Sequence, residues 1–291
     1  MDISTGRIEA NGVDFAYEEA GSGPLALCLH GFPDSPRSWR FLMSALAGAG
    51  FRAVAPYQRG YSPTRVLEGS SYQTGALALD ACALHEALGG GADSVIIGHD
   101  WGALGTYGAA SMAPDRWSRV VASAVPPAPA LAAGFLDYRQ LKRSWYQFLF
   151  LHPMAEVVVP MDDMAFIDHL WADWSPGFDA GDETAAVKDA LRDPANLSAA
   201  LGYYRAQWGT EPPSSTPELD EAQAAVAGIP PQPTLYLHGV DDGCIGAELA
   251  AGVGDLLSEG SRSVVVEGCG HFLHVERPDE VNRLVIDFLT A

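Results

Sequence analysis

The sequence is poor in basic residues, and this scarcity excludes several classes of partner. Its 291 residues include 17 Lys and Arg against 37 Asp and Glu, which gives a formal net charge of −20. The phosphate backbone of a nucleic acid and an anionic membrane surface would both repel such a chain. We therefore expect no nucleic-acid partner and no membrane partner.

Cysteine is also scarce, and the four cysteines are scattered along the chain. Cys28, Cys82, Cys244 and Cys269 show no CxxC spacing, which argues against a zinc site and against a thioredoxin-like redox pair. Buried, unreactive thiols are the simplest interpretation. Cys244 and Cys269 each lie within two residues of a candidate catalytic position described below, so they are candidates to line the site without taking part in the chemistry.

Long hydrophobic runs are absent as well. No uninterrupted apolar run approaches the ~20 residues that a membrane span needs, and the first residues lack a basic region followed by an apolar stretch. We expect a cytoplasmic protein. With 48% hydrophobic and 19% charged residues, the chain can bury a large core and is typical of a compact globular protein.

Short apolar runs alternate with longer helical patterns along most of the chain. Runs that are apolar nearly throughout are typical of parallel strands covered by helices on both faces. These runs are 25–29, 95–97, 120–122, 234–237 and 264–266, and the helical patterns are 39–49, 75–88, 102–113 and 278–289. The order predicts a doubly wound α/β fold. Asn11-Gly12 is a strong hairpin signal, so the sheet is expected to begin antiparallel.

The alternation stops between Val125 and Thr234. This stretch contains aromatic-rich helical patterns and turn-rich loops, and proline clusters at 126–127 and 230–233 bound it. The helical patterns are 136–150 and 197–208, and the loops are 174–177 and 211–215. We predict one structural domain in two parts. The parts are an α/β core over 1–127 and 230–291 and an inserted helical cap over 128–229.

The segment Gly98-His99-Asp100-Trp101-Gly102 runs from a predicted strand directly into a predicted helix. A sharp turn between them needs small residues at Gly98 and Gly102, because larger side chains would meet neighbouring backbone. Such a turn presents the nucleophile in many hydrolases, and here the central residue is Asp100. The glycine spacing alone fits a structural turn equally well, and Asp100 alone also fits a helix N-cap.

An aspartate at this position indicates a particular chemistry. A serine that attacked saturated carbon would leave an ether, which hydrolases do not readily cleave, whereas Asp100 would leave an ester that water can attack. Attack on an ordinary ester would instead yield a mixed anhydride. The residue therefore favours alkylating substrates such as epoxides and haloalkanes.

Two later turns supply candidates for an acid and a base. Asp242 has the usual GxxD spacing after a predicted strand, and Asp241 is the weaker alternative. His271 lies between glycines on a loop after the next strand, where its ring could reach the first turn as a general base. His274 is expected to be packed or solvated. The order Asp100, Asp242, His271 is the order of nucleophile, acid and base in a hydrolase triad.

The segment His30-Gly31-Phe32-Pro33 follows the run 25–29 and is the expected place for an oxyanion donor. The backbone N–H groups of Phe32 and Trp101 are expected to bind the charge that forms when water attacks the ester on Asp100. A tight Gly-Pro turn is a structural interpretation that is compatible with this role.

Together these motifs resemble the epoxide hydrolases of the α/β-hydrolase superfamily over nearly the whole chain. The motifs that carry the resemblance are 30–33, 58–62, 98–102 and 270–272. The resemblance implies an α/β-hydrolase fold, with a mostly parallel eight-stranded sheet and helices on both faces. One departure is the turn Pro56-Tyr57-Gln58 before Arg59-Gly60, where the superfamily more often has Asp. It concerns the subgroup and not the triad.

In that family, two cap tyrosines hydrogen-bond the epoxide oxygen and protonate the alkoxide as the ring opens. The segments 144–146 and 201–205 look like the two that supply them, and we identify Tyr146 and Tyr204. Tyr203 is the alternative to Tyr204, because adjacent helical residues face different ways. A phenol with an unperturbed pKa of ~10 is protonated at neutral pH and can donate. Tyrosines that only pack are the structural alternative.

The resemblance implies an apolar epoxide as substrate and water as co-substrate, with no metal and no organic cofactor. We predict that His30, Pro33, Trp145 and Tyr203 contribute to the substrate pocket. A homodimer is left open as the oligomeric state.

Two other functions compete with this one. A haloalkane dehalogenase has the same kind of aspartate followed by Trp, and such enzymes hold halide with N–H donors like that of Trp101 and with a second donor. The second donor is often Asn at the position where this chain has Phe32. Trp145 or Trp171 could supply that donor instead. A hydrolase fold kept as a non-catalytic binding protein would be marked by decay of the triad, and here all three positions are filled.

Overall fold

The computed structural model describes residues 2–209 and 215–291, and one sheet lies at its centre. The strands are β1 Ser4–Ala10, β2 Val13–Gly21, β3 Leu25–Leu29, β4 Arg52–Pro56, β5 Val95–His99, β6 Arg119–Ser123, β7 Thr234–Gly239 and β8 Arg262–Val266. They form one eight-stranded sheet in the order β1-β2-β4-β3-β5-β6-β7-β8. Every pair from β4-β3 onward is parallel. The expected α/β fold with a mostly parallel eight-stranded sheet is confirmed.

The sheet begins with the antiparallel hairpin that Asn11-Gly12 predicts. Ala10 pairs with Val13, and the two residues between them have φ angles of 48° and 71°. A type I′ turn requires positive φ at both central positions, which Asn and Gly adopt more readily than other residues. β2 also runs antiparallel to β4, so both antiparallel pairs lie at one edge of the sheet.

Helices cover both faces of the sheet. The helices of the flanking layers are α1 Arg40–Gly48, α2 Thr74–Ala87, α3 Trp101–Met112, α12 Val253–Leu256, α13 Leu273–Glu276 and α14 Pro278–Leu289, with 3-10 turns at Pro36–Trp39, Pro114–Arg116 and Ala247–Ala250. α1 packs with α14, and α2 packs with α3. Cys28 belongs to the core beside α1 and α14, whereas Leu27 belongs to the core beside α2 and α3. Successive strand residues therefore face opposite layers.

The segment between β6 and β7 is helical. Its helices are α4 Ala128–Gly134, α5 Tyr138–Arg143, α6 Trp145–Phe150, α7 Ala155–Val158, α8 Met161–Trp174, α9 Gly181–Leu191, α10 Pro194–Trp208 and α11 Pro217–Val226. Residues of α6, α8 and α10 share one hydrophobic cluster with Phe32 and Trp101. By contrast, α11 packs against α2 and α3. The division into a core and a cap over 128–229 stays a prediction, and of the predicted loop 211–215 only Ser215 lies within the described residues.

The turns singled out in the sequence all lie at the carboxyl-terminal edge of the sheet, where its parallel strands end. The turn at His30 follows β3, Asp100 follows β5, Asp242 follows β7, and His271 follows β8. Because these strands are parallel, their carboxyl ends meet at that edge, where binding crevices of α/β sheets form. Within residues 2–209 and 215–291, no helix is both long and apolar enough to cross a membrane.

Candidate active site

Asp100 lies at the sharp turn between β5 and α3. Its φ and ψ of 53° and −120° are outside the regions that side chains with a Cβ usually adopt. A Cβ on Gly98 would lie 2.3 Å from the carbonyl oxygen of Gly102, and a Cβ on Gly102 would lie 2.1 Å from the carbonyl oxygen of Leu29. Both glycines are thus required by close backbone approach, as the sequence predicts.

The carboxylate of Asp100 points away from its own helix. It makes no N-cap hydrogen bond to α3, so capping is not what the side chain does. Instead, Oδ1 accepts a hydrogen bond from the backbone N–H of Phe32 at 2.7 Å, and Oδ2 lies 3.8 Å from Nε2 of His271. The motif after β3, the turn after β5 and the loop after β8 therefore meet at one carboxylate.

His271 and Asp242 form a buried pair behind this carboxylate. Nδ1 of His271 donates to Oδ2 of Asp242 at 2.9 Å. The other oxygen of Asp242 accepts from the backbone N–H groups of Cys244 and Ile245, at 2.8 and 2.9 Å. These two bonds fix the carboxylate, which in turn orients the imidazole so that Nε2 faces Asp100 and keeps a proton on Nδ1 whenever the ring is neutral. The side chain of Asp241 is exposed.

The charges around His271 hold a proton on its ring. Burial alone would lower the pKa of His271, but the charge of Asp242, the hydrogen bond to Asp242 and the charge of Asp100 raise it to about 10. Burial alone would raise the pKa of Asp242, yet the charge of His271 and the hydrogen bond to it hold the pKa of that carboxyl below its usual value. The resting site is thus an imidazolium between two carboxylates.

Residues that the sequence did not single out hold the loop of His271. The carbonyl of Trp174, at the end of α8, accepts from the backbone N–H of His271 at 3.0 Å and from that of Gly243 at 3.1 Å. Nε2 of His99 bonds the carbonyl of His271 at 2.9 Å. Glu276 accepts from the N–H of Gly270 at 2.8 Å. Of Trp174, His99 and Glu276, only His99 belongs to a motif of the sequence. The others could not be found there, because a backbone carbonyl leaves no signal in the sequence and Glu276 lies in no motif.

A mostly apolar cavity opens in front of Asp100. It is lined by Asp100, Trp101, Leu104, Val125, Leu131, Phe135, Tyr146, Gln147, Tyr204, Gln207, Trp208 and Ile245. A carboxylate facing apolar walls with a small number of polar groups is typical of a site for an apolar ligand that carries one reactive centre. Leu131, Gln147 and Gln207 are lining residues that sequence reasoning missed, because no motif marks them.

Tyr146 and Tyr204 both line this cavity, and their ring centroids lie 5.7 Å apart. Burial raises the pKa of each phenol well above 10, so each keeps its proton at neutral pH. Tyr203 faces away, because its hydroxyl donates to the carbonyl of Arg59 at 2.7 Å. The structure therefore places Tyr204 at the cavity and corrects the prediction that Tyr203 contributes to the pocket.

His30 and Pro33 do not line the cavity either, contrary to prediction. The ring of His30 is engaged on both sides, with Nδ1 2.9 Å from the carbonyl of Gly31 and Nε2 accepting from the N–H of Gln58 at 3.1 Å. The carbonyl of Pro33 accepts from the indole of Trp171 at 2.8 Å. Both residues shape the backbone around Phe32 rather than the surface of the cavity.

Trp145 lies outside the cavity as well, which corrects a further pocket prediction. Its side chain is 48% exposed and packs edge-on against Phe166 at 6.0 Å. The helix α6 turns Tyr146 inward, so its neighbour Trp145 faces outward. Phe148, on the same helix, is also about half exposed.

The atypical turn before Arg59 has a structural role. Gln58 bonds His30 through both its backbone N–H and its side-chain amide, the latter to the carbonyl of His30. The guanidinium of Arg59 pairs with Asp80 at 2.5 Å, and both groups are buried. This turn connects α2 to the motif after β3.

Among the residues that the structure describes, two buried groups have the donor atoms of a metal site. They are Asp34, His99 and His274, and Asp242, Cys244 and His271. In the second group the carboxylate and the imidazole bond each other, and burial raises the pKa of the thiol well above its usual value. In the first, the ring of His274 stacks on Trp39 at 4.5 Å, in accord with a packed side chain. Cys269, the other cysteine near the site, belongs to neither group, and its thiol donates to the carbonyl oxygen of Val266.

Comparison with known proteins places the fold in a family. A family model described as alpha/beta hydrolase fold matches residues 24–278. "Epoxide hydrolase A" of Mycobacterium tuberculosis is 29% identical, with 98% of this chain and 96% of the relative covered. Human "Epoxide hydrolase 4" is 26% identical over 97% of this chain and 77% of its own. The crystal structure of Epoxide Hydrolase A from Mycobacterium thermoresistibile superposes with a TM-score of 0.82 at 26% identity, covering 100% of this chain and 99% of that one.

Proposed function

The chain belongs to the alpha/beta hydrolase fold family, and on that premise we propose that it is an epoxide hydrolase acting through an ester on Asp100. One observation carries the proposal. The carboxylate of Asp100 and the protonated phenols of Tyr146 and Tyr204 line the same apolar cavity, and the imidazole of His271 lies behind the carboxylate. The similar proteins named as epoxide hydrolases, matched over nearly the whole chain, support the same reaction.

In the first step, Asp100 attacks a carbon of the oxirane while Tyr146 and Tyr204 hydrogen-bond the oxygen. The new bond joins a carboxylate oxygen to carbon, the ring C–O bond breaks, and one phenol transfers its proton to the departing alkoxide. The product is a hydroxyalkyl ester. No metal and no organic cofactor takes part in the proposed step, and the substrate is an apolar epoxide.

Formation of the ester prepares His271 for the second step. One of the causes that raise its pKa, the charge of Asp100 at 3.8 Å from Nε2, disappears when Asp100 becomes a neutral ester. The pKa of the imidazole then falls, so Nε2 can release its proton, which passes through solvent to the ionised tyrosine, and can then accept another from water. Esterification itself converts the resting imidazolium into a general base.

In the second step, water attacks the carbonyl carbon of the ester and gives its proton to His271. The backbone N–H groups of Phe32 and Trp101 bind the oxyanion, which fits the present bond from Phe32 to Asp100. The acyl C–O bond then breaks, and His271 protonates the leaving oxygen of the diol. The regenerated carboxyl of Asp100 then gives its proton, through solvent, to His271, which restores the resting imidazolium.

The competing proposals are weaker. For a haloalkane dehalogenase, the two tryptophans considered as halide donors do not face the cavity, because Trp171 donates to Pro33 and Trp145 is half exposed. For a non-catalytic binding protein, no loss of a triad member is seen among the described residues, since Asp100, Asp242 and His271 lie together.

The proposal is tested by trapping the ester. The His271→Gln protein should still be alkylated but should not hydrolyse the ester, so intact-protein mass spectrometry after incubation with styrene oxide should show a stable adduct on Asp100. His169→Gln is the matched control, because His169 is exposed, and it should accumulate no adduct and should form diol at the wild-type rate.

An unmodified mass for His271→Gln after prolonged incubation, with no diol from the wild-type protein, would contradict the proposal. Halide release from chloroalkanes with no diol formation from epoxides would instead establish the dehalogenase.

A further inference from the structure

A chain of hydrogen bonds runs from the outer part of the cavity to Tyr146. The indole Nε1–H of Trp208 donates to Oε1 of Gln147 at 2.8 Å, and Nε2 of Gln147 donates to the hydroxyl oxygen of Tyr146 at 3.2 Å. Gln147 is 7% exposed and lines the same cavity as Tyr146. A buried amide of this kind needs partners for both ends, and here each end has one.

The direction of this chain follows from the chemistry of the indole. An indole N–H can only donate, so the atom of Gln147 that faces Trp208 must be the carbonyl oxygen. The NH₂ group then necessarily faces Tyr146, which settles the usual ambiguity between the two ends of an amide. The hydroxyl oxygen of Tyr146 therefore accepts a hydrogen bond from Gln147.

Accepting this bond changes what Tyr146 can do. Its own O–H hydrogen is directed elsewhere, toward Cys244 Sγ at 3.3 Å or toward an acceptor in the cavity, and sulfur is a weak acceptor. A donor on the phenol oxygen also stabilises the phenolate that remains once the proton has left. Both effects favour Tyr146 as a proton donor toward a ligand.

Trp208 is also part of the cavity wall. Its ring stacks on Phe135 with centroids 5.0 Å apart and an interplanar angle of 12°, and both residues line the cavity. Trp208 is 37% exposed, so it lies on the solvent side of the cavity. The packing that fixes this indole therefore also fixes the amide that contacts Tyr146.

We propose that Gln147, oriented by Trp208, is a positioning residue that makes Tyr146 a proton donor to the oxirane oxygen. The inference rests on the proposed epoxide hydrolase function and adds a residue to its first step. It predicts a role in ring opening alone, because no step of ester hydrolysis needs the phenol as a donor.

The test resolves the two steps by single-turnover kinetics with styrene oxide, quenched and read by intact-protein mass spectrometry. Gln147→Met keeps the length and burial of the side chain but removes its donor. We expect ester formation to slow about tenfold, which corresponds to ~1.4 kcal/mol, with ester decay at the wild-type rate.

Two further variants separate the amide from its surroundings. Trp208→Phe keeps an aromatic ring against Phe135 but frees Gln147 to turn, so ester formation should slow by about two- to fivefold, less than in Gln147→Met. Gln207→Met removes another amide of the cavity wall, and its effect should fall on KM rather than on the rate of ester formation at saturation. A cooperative thermal unfolding transition, measured for each variant, is the check that it is folded.

The outcomes are distinguishable. If the wild-type protein forms no ester, the proposed function fails and the inference fails with it. If the wild type forms the ester and Gln147→Met forms it equally fast, the inference alone is overturned. Equal slowing of ester formation and ester decay in Gln147→Met would also overturn it, because this pattern indicates packing rather than proton donation.

Discussion

Replacement of Asp242 by Asn should block ester hydrolysis by selecting the wrong tautomer of His271. In the wild type, one oxygen of Asp242 accepts from the N–H groups of Cys244 and Ile245, and the other accepts from Nδ1 of His271. An Asn in the same place must keep its oxygen toward the two backbone donors. Its NH₂ group then faces Nδ1, so the proton of the neutral ring moves to Nε2, where water should be deprotonated.

The magnitude follows from the cost of turning the amide around. A productive tautomer would need the amide oxygen to face His271, which leaves the N–H groups of Cys244 and Ile245 buried without an acceptor. Each such loss costs about 1–3 kcal/mol, or about 2–6 kcal/mol together. We therefore expect Asp242→Asn to slow ester hydrolysis at least about 30-fold.

The assay measures formation and decay of the ester separately by rapid quench and mass spectrometry. Asp242→Asn should accumulate the ester on Asp100, whereas the matched change Asp241→Asn, at an exposed neighbour, should behave as the wild type. Ester decay in Asp242→Asn within about threefold of the wild-type rate would refute the tautomer argument.

Three other perturbations have defined outcomes. Tyr204→Phe should slow ester formation about tenfold. Tyr203→Phe should instead leave the carbonyl of Arg59 without its donor and lower the free energy of unfolding in urea by about 0.5–1.5 kcal/mol. Equal effects of the two variants on the rate of ester formation and on stability would contradict the placement of Tyr204 at the cavity. Asp80→Ala should cost about 3–5 kcal/mol of unfolding free energy, because it leaves Arg59 buried without its carboxylate, and an unchanged urea midpoint would disprove this. The pKa of His271 is about 10 in the folded protein and about 6.5 in the unfolded chain. Its contribution to the unfolding free energy is therefore complete below pH 6.5 and is lost as the pH rises to about 10. A His271→Gln variant with the same pH dependence of stability would exclude that origin.

The fold, and the meeting of Asp100, Asp242 and His271, could be predicted because local chemistry determines them. Gly98 and Gly102 are imposed by backbone contacts within one turn, and the order of the three turns follows from the order of parallel strands. The spacing after Gly239 was enough to prefer Asp242 over Asp241, and the structure brings Asp242 to His271.

The walls of the cavity could not be predicted, because they depend on how helices rotate against one another. Nothing in the sequence shows that α10 places Tyr204 at the cavity and directs the hydroxyl of Tyr203 to the carbonyl of Arg59. The outward position of Trp145 has the same origin. Gln147 belongs to no motif, and its importance emerges only from the indole that fixes it.

The carbonyl of Trp174 accepts hydrogen bonds from the backbone N–H groups of His271 and of Gly243, which is next to Asp242. It thereby links the helical segment between β6 and β7 to two loops whose bonded residues are 28 positions apart in the chain. A rigid shift of α8 would carry both loops with it, so the distance between His271 and Asp242 would be preserved while the distance from His271 to Asp100 changed. The helical segment thereby supports the backbone at both members of the His271–Asp242 pair. A chimaera that exchanged this segment to alter selectivity would have to retain the end of α8, or the loop of His271 would lose one of the hydrogen bonds that hold it.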